Sequence, residues 1–298
     1  MADELDDGLL LEDELVAYSD DASDAEVRPQ HHAPPPSTDD AAAAKKRKRR
    51  EQAKAQRRKK AARLQEQASA AQHIAEQPRD LQADFLVGLQ RKAFPKLSEL
   101  ELQELRVPAR AFAETFTFDA ERTVEHLSPF VREFVARHNE LQDMKQPWMT
   151  EPGTPYMLVL TGNAQRAADL TRALRVLLPG TDEPPAKRRK GTASSPVPTV
   201  AKLFARHFKL EEQVSWLKSQ ATPIAVGTPH RVQALLEQRA LHVDHLQALL
   251  VDASWTDAKQ RAVFDTPETR DALLALLAEN SVRALLQKPT DPCRVVLF

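Results

Sequence analysis

The sequence predicts an α/β protein built on a mostly parallel sheet, and two observations carry that expectation. Beyond Pro155, short apolar runs alternate with stretches of helical periodicity, the pattern of strands joined by crossover helices. The runs themselves, YMLVL at 156–160, PIAVG at 223–227, QALLVD at 247–252 and CRVVLF at 293–298, are nearly continuous in apolar residues. Strands buried on both faces read this way, whereas a half-exposed strand alternates apolar with polar residues.

Helices are expected between these strands, at 164–177, 200–218, 229–238 and 267–286, joined by right-handed crossovers. The stretch 181–198 interrupts the series with Pro184-Pro185, the basic run Lys187 to Lys190 and Ser194-Ser195-Pro196, the chemistry of an exposed loop. Ahead of the first strand, 78–150 has helical apolar spacing: Phe85, Leu86 and Leu89, then Leu97 to Leu105, then Leu127, Phe130, Val131 and Phe134. Pro129 suits a helical first turn with Ser128 as its cap. The folded part is therefore expected to be one domain at 151–298 with a helical extension at 78–150.

The N-terminal quarter differs in kind. The net charge of −1 over 298 residues conceals a separation along the chain. Residues 1–44 hold thirteen acids against Arg28 alone, with Pro34-Pro35-Pro36 and few large apolar groups, so this arm is expected to be disordered. From Lys45 to Arg63 twelve Lys and Arg face Glu51 alone. This basic segment, 45–77, is rich in Ala, Lys, Arg, Gln and Glu and is expected to be helical up to Pro78. The two clusters Lys45, Lys46, Arg47, Lys48, Arg49, Arg50 and Arg57, Arg58, Lys59, Lys60 fit a nuclear or nucleolar import signal and sequence-independent binding to a phosphate backbone.

Several chemistries are disfavoured. No run approaches the roughly 20 apolar residues of a membrane helix, and the acidic start at Asp3-Glu4 does not resemble a secretory signal. The single cysteine, Cys293, can form neither an internal disulfide nor a cysteine-rich zinc site, and a buried apolar role is expected. His31-His32 and the pair His242 and His245 lack ligand spacing. Trp148, Trp216 and Trp255 are expected as packing or interface anchors. No metal, cofactor or small-molecule substrate is expected.

One local arrangement points to a ligand. In Val226-Gly227-Thr228-Pro229-His230-Arg231 a strand runs into a helix, with Thr228 as a hydroxyl cap and Pro229 in the first turn. It reads either as a well-made helix start or as a phosphate site, in which exposed N–H groups meet the anion and Arg231 adds charge.

Three segments in series, MLVLTGNAQRAADL from Met157, VGTPHR from Val226 and LQALLVDASW from Leu246, resemble the first RecA-like domain of DEAD-box RNA helicases. There, strands followed by PTRELA, TPGR and DEAD occur in this order. More closely, VAKLFARHFKLEEQ at 200–213, VGTPHR and LLVDASW are similar to the 90S pre-ribosomal complex subunit family, the Cms-one-like proteins, over about Asp80 to the C-terminus. The resemblance implies a RecA-like domain and a nucleolar role in the early small-subunit pre-ribosome, with precursor ribosomal RNA and pre-ribosomal proteins as partners.

The departures from a helicase decide what activity to expect. None of the seven glycines is followed by lysine, so no phosphate-wrapping P-loop exists. Asp252-Ala253-Ser254-Trp255 stands in place of DEAD and lacks the carboxylate that would orient water. The sequence ends at Phe298, before a second RecA-like domain, so no arginine finger is expected in cis. His230 replaces the glycine of TPGR. Arg166 is offset by two residues from the PTRELA arginine, and a salt bridge or a separate contact is expected of it. The reading is thus a non-catalytic RNA-associated assembly factor. The alternatives are a divergent nucleotide-dependent enzyme, or a chromatin or other nuclear scaffold.

Overall fold

The computed structural model describes residues 52, 54–56, 73–135, 140–179 and 198–298. The chain divides into two compact units, Met1–Arg57 and Arg58–Phe298. In the first, residues 52 and 54–56 are helical, as the composition of that segment predicts. Lys45 to Arg50, Arg57 to Lys60, the acidic arm and most of the 181–198 stretch lie outside the described residues.

The second unit is built on five strands: β1 (Met157–Leu160), β2 (Val200–Leu203), β3 (Ile224–Gly227), β4 (Ala248–Val251) and β5 (Arg294–Leu297). They form one all-parallel sheet in the order β2-β3-β1-β4-β5. Side chains alternate between the two faces of a strand. Leu158 and Leu160 accordingly join the core on one face with Leu249, Val251, Val295 and Leu297. Met157 and Val159 join the other with Ile224, Val226, Leu250 and Val296. Both faces are dry because helices cover both, which explains the nearly continuous apolar runs.

The first face is covered by α1 (Arg79–Ala93), α7 (Pro229–Glu237), α8 (Pro267–Ala278) and α9 (Asn280–Leu286), which supply Leu86, Leu235, Leu273 and Leu286. The second is covered by α3 (Val124–Phe134), α5 (Ala164–Leu174) and the four-residue α4 (Pro147–Thr150), supplying Phe130, Leu170 and Trp148. Short α2 (Glu99–Glu104) begins with a capping box between Ser98 and Glu101, and α6 (Leu210–Leu217) lies between β2 and β3 in sequence. The residues ahead of β1 are therefore part of the domain: they supply helices to both faces.

The same segment closes one edge of the sheet. Phe112 pairs with Val295 of β5 in a parallel bridge, and Ala113 N–H donates to Val295 O at 2.9 Å. A little further on, Arg122 is buried. Its guanidinium donates to the carbonyls of Leu297 (3.1 Å), Ala75 (2.9 Å) and Thr115 (2.9 Å), and lies 5.2 Å from the Phe130 ring centre. Burial lowers its pKa, opposed by the charge of Glu76.

Three expectations are corrected. Residues 200–218 are not one helix: Val200–Leu203 is strand β2, and the helix starts only at Leu210. Val200, Leu203, Phe204 and Phe208 fall at helical spacing, but pairing with β3 outweighs that local pattern. The expected helix at 267–286 breaks at Glu279, which is extended and whose side chain accepts from the N–H groups of Ser281 and Val282, capping α9. Pro129 lies inside α3 rather than in its first turn, and Ser128 is no cap, since its hydroxyl donates to Ala173 O on α5.

Candidate functional site at the carboxyl ends of the strands

In a parallel α/β sheet the loops at the carboxyl ends of the strands carry the polar side chains, and crevices there are the usual ligand sites. Here those ends bring together Thr161 after β1, Arg206, His207 and Lys209 after β2, Thr228 to Arg231 after β3, and Asp252 to Trp255 after β4.

At the centre is a closed ion pair. Asn163 caps α5, its side chain accepting from Gln165 and Arg166 N–H, and this holds Arg166 on the first turn facing the sheet. Asp252 is fixed by its own N–H, which donates to Leu160 O at 2.9 Å. Arg166 Nε and Nη2 then donate to Asp252 Oδ2 and Oδ1, both at 3.0 Å, and Thr161 Oγ1 donates to Oδ2 at 2.9 Å. The Trp255 ring covers the guanidinium at 5.6 Å. Arg166 is 6% exposed and Asp252 1%, so the pair is shielded from water. The salt bridge expected of Arg166 is present, and its partner is the strand-end aspartate. No cluster of three or more His, Cys, Asp or Glu is placed to hold a metal among the described residues.

The helix start after β3 departs from its expected form. Thr228 occupies the N-cap position of α7 with extended backbone, but its side chain makes no cap hydrogen bond. Its N–H donates instead to Leu203 O at 3.0 Å, tying β3 to the end of β2. Gly227 makes that approach possible, since a Cβ there would lie 2.2 Å from Leu203 O. Pro229 brings no N–H, and Val232 N–H is satisfied by Thr228 O. The N–H groups of His230 and Arg231 have no acceptor among the described residues, the arrangement that suits an anion.

Arg231 is partly committed elsewhere. Its Nη1 donates to Gln213 Oε1 at 3.2 Å, and partial burial lowers its pKa. Gln213 in turn donates to Lys202 O (2.9 Å) and Phe204 O (3.2 Å), so Arg231 braces the β2–α6 loop as well as the helix start. That loop carries exposed Arg206, His207 and Lys209, with His207 held at φ 66°. Sequence reasoning missed these three, because 200–218 was read as helix and a helix would have scattered them around its surface. The positive φ has no signal in the sequence.

His245 lies 3.2 Å from Glu151, and His242 is exposed. Trp148 packs against Tyr156, and Cys293 is buried as expected. No helix among the described residues is long and apolar enough to cross a membrane.

An α/β domain with an all-parallel sheet, its strand-end carboxylate closed by an arginine, belongs to the class of open parallel-sheet α/β domains. The chain belongs to the family of the U3-containing 90S pre-ribosomal complex subunit CMS1, whose model matches residues 30–298. It is 36% identical to Protein CMS1 of Chaetomium thermophilum over 215 residues, 72% of this chain and 78% of that protein. It is 29% identical to Protein CMSS1 of Xenopus laevis over 217 residues, 72% of this chain and 67% of that one. To Protein cms1 of Schizosaccharomyces pombe it is 26% identical over 225 residues, 73% and 70% of the two chains. The family expected from the sequence is thus the family found.

Proposed function

We propose that the protein is a non-catalytic, RNA-associated assembly factor of the nucleolus, a helicase-related domain that binds within the early small-subunit pre-ribosome. The observation that carries the non-catalytic part is the state of Asp252. Both of its oxygens are taken by the Arg166 fork and one also by Thr161, so neither is presented to a metal or a water. The lack of a P-loop in the sequence supports the same reading, since a nucleotide cradle needs that glycine-rich loop and its lysine.

Binding to RNA rests on charge and geometry. The basic segment supplies many cations for contact that depends on salt and not on sequence. The strand-end loops add fixed positions: the N–H groups of His230 and Arg231 and the side chains of Arg206, Lys209 and Arg231. Precursor ribosomal RNA and pre-ribosomal proteins are the partners that suit a member of this family, and the two basic clusters suit nucleolar import.

Cross-linking the tagged protein in cells and sequencing the bound nucleic acid tests this reading. Reads concentrated in precursor ribosomal RNA are expected, and recovery of chromatin DNA instead would sink it. In vitro, the protein is expected to show no RNA-stimulated ATP hydrolysis and no thermal shift with ATP and magnesium. A shift saturating at micromolar nucleotide would return the enzyme reading.

A further inference from the structure

We propose that the outer edge of β2, unpaired among the described residues, is a docking site for an extended acidic peptide of a protein partner, which adds to the sheet as a further parallel or antiparallel strand. β2 ends the sheet, and only β3 pairs with it among the described residues. Leu203 O accepts from Thr228 N–H, so the backbone groups of Leu203 and Ala201 face β3 and those of Val200 and Lys202 face outward. Lys202 O is taken by the Gln213 side chain. The Val200 N–H, Val200 C=O and Lys202 N–H have no partner among the described residues, a template for strand addition.

Beside this edge runs a groove of about 400 Å³ lined by Arg175, Val200, Lys202, Phe208, Gln213 and Trp216. Trp216 is 39% exposed although it is large and apolar, and next to Arg175 the Val176 side chain is 50% exposed. Thr199 Oγ1, also on the groove, is buried without a hydrogen-bond partner among the described residues. Such a wall of aromatic and branched side chains next to unpaired backbone offers both the hydrogen bonds and the side-chain pockets that strand addition needs.

Charge selects the occupant. Arg175 and Lys202 line the groove with no acidic partner among the described residues, whereas the one carboxylate there, Glu212, accepts from Lys209 N–H at the start of α6. Two cations against this one anion leave the groove net positive, and an acidic strand with an aromatic or aliphatic anchor matches it. An RNA strand could use the cations and Trp216, but it does not repeat donors and acceptors at the spacing of alternate strand residues as a peptide backbone does, so the backbone edge favours a peptide.

The probe is a displayed library of random ten-residue peptides panned on the full-length protein, with the selected sequences synthesised and labelled. Enrichment in Asp and Glu flanking an alternating apolar residue is expected. Trp216→Ala and Lys202→Glu should each weaken the selected peptides at least tenfold while leaving thermal unfolding unchanged. N-methylation of alternate peptide amides should abolish binding in one register and spare it in the other, which a purely side-chain groove would not produce. The proposal is overturned if no peptide is enriched, if the binders lack acids, or if they bind Trp216→Ala and Lys202→Glu as they bind the unaltered protein. Insensitivity to N-methylation in both registers, competition by a ten-nucleotide oligouridine, or self-association lost in Trp216→Ala would each overturn it too. These outcomes leave the nucleic-acid reading untouched, since Trp216 and Lys202 take no part in it.

Discussion

Arg122 and Leu297 lie 175 residues apart in sequence, yet the Arg122 guanidinium donates at 3.1 Å to the carbonyl at the end of β5. The same group holds Ala75 O and Thr115 O, so one side chain ties the short turn at 74–76, the loop before α3 and β5, the last strand in the sheet order.

Arg122→Met keeps the length and apolar contact of the stem but takes the donor from the buried Leu297 carbonyl, whereas Ala75 O keeps the Thr115 hydroxyl and Thr115 O keeps the Phe118 N–H. A loss of about 1–3 kcal/mol is expected, the range for stranding a buried polar group. Urea unfolding monitored by circular dichroism measures it. An unchanged midpoint would mean that water replaces the guanidinium.

The pair at the strand ends behaves differently when cut on one side or both. Arg166→Ala leaves the Asp252 carboxylate buried against Thr161 alone, and a loss of about 3–5 kcal/mol is expected. Arg166→Met with Asp252→Leu removes both charges and should recover most of that loss. A double mutant no more stable than Arg166→Ala would show that the pair is not the source of the penalty.

Much of this was legible in the sequence, and the exceptions share a cause. Four of five strands show as apolar runs, because a strand buried on both faces has little freedom in composition. β2 was hidden, since Val200, Leu203, Phe204 and Phe208 satisfy a helical period and only the partner strand decides between the two readings. Asp252 was legible as a strand-end acid. Its pairing with Arg166 was not, because 86 residues separate them and spacing carries no information at that range. The helix start at Thr228 was placed correctly, but its hydroxyl cap was not, and the phosphate role suggested for it remains a proposal.

RNA affinity should separate the two basic regions by salt dependence. Removing residues 1–72, which spares the buried Ile74 and Ala75, is expected to weaken binding to a structured RNA broadly and to flatten the slope of log affinity against log salt by several units. Arg206→Ala and Lys209→Ala should each reduce that slope by about one, with little change in stability, since both side chains are exposed. Arg231→Ala should lower affinity by about 1–3 kcal/mol. Titrations at four salt concentrations read all three, and a deletion that leaves the slope intact would remove the arm as the main electrostatic contact.

Burial pushes the Cys293 thiol up to about 12, well above its ordinary value near 9.0. The folded protein therefore keeps a proton that the unfolded chain releases above pH 9. Its contribution is complete below that pH and is lost as the pH rises toward 12, at no more than about 1.4 kcal/mol per unit. The stability gap between the unaltered protein and Cys293→Ala should accordingly narrow above pH 9. Thiol reagents at pH 8 should label Cys293 only at the rate of unfolding, and rapid native-state labelling would contradict its burial.

The parallel bridge between Phe112 and Val295 also governs the order in which the molecule can acquire its structure. The bridge joins a piece from the first half of the chain to the last strand, so it cannot form until the C-terminal residues are present. Contacts spanning such distances fold slowly, on the millisecond-to-second scale typical of high contact order, because the loop entropy is lost before the contact returns any energy. Until that closure the apolar rim of β5 is exposed and able to pair with other chains, which makes the interval before docking the time at which a newly made molecule most needs a chaperone.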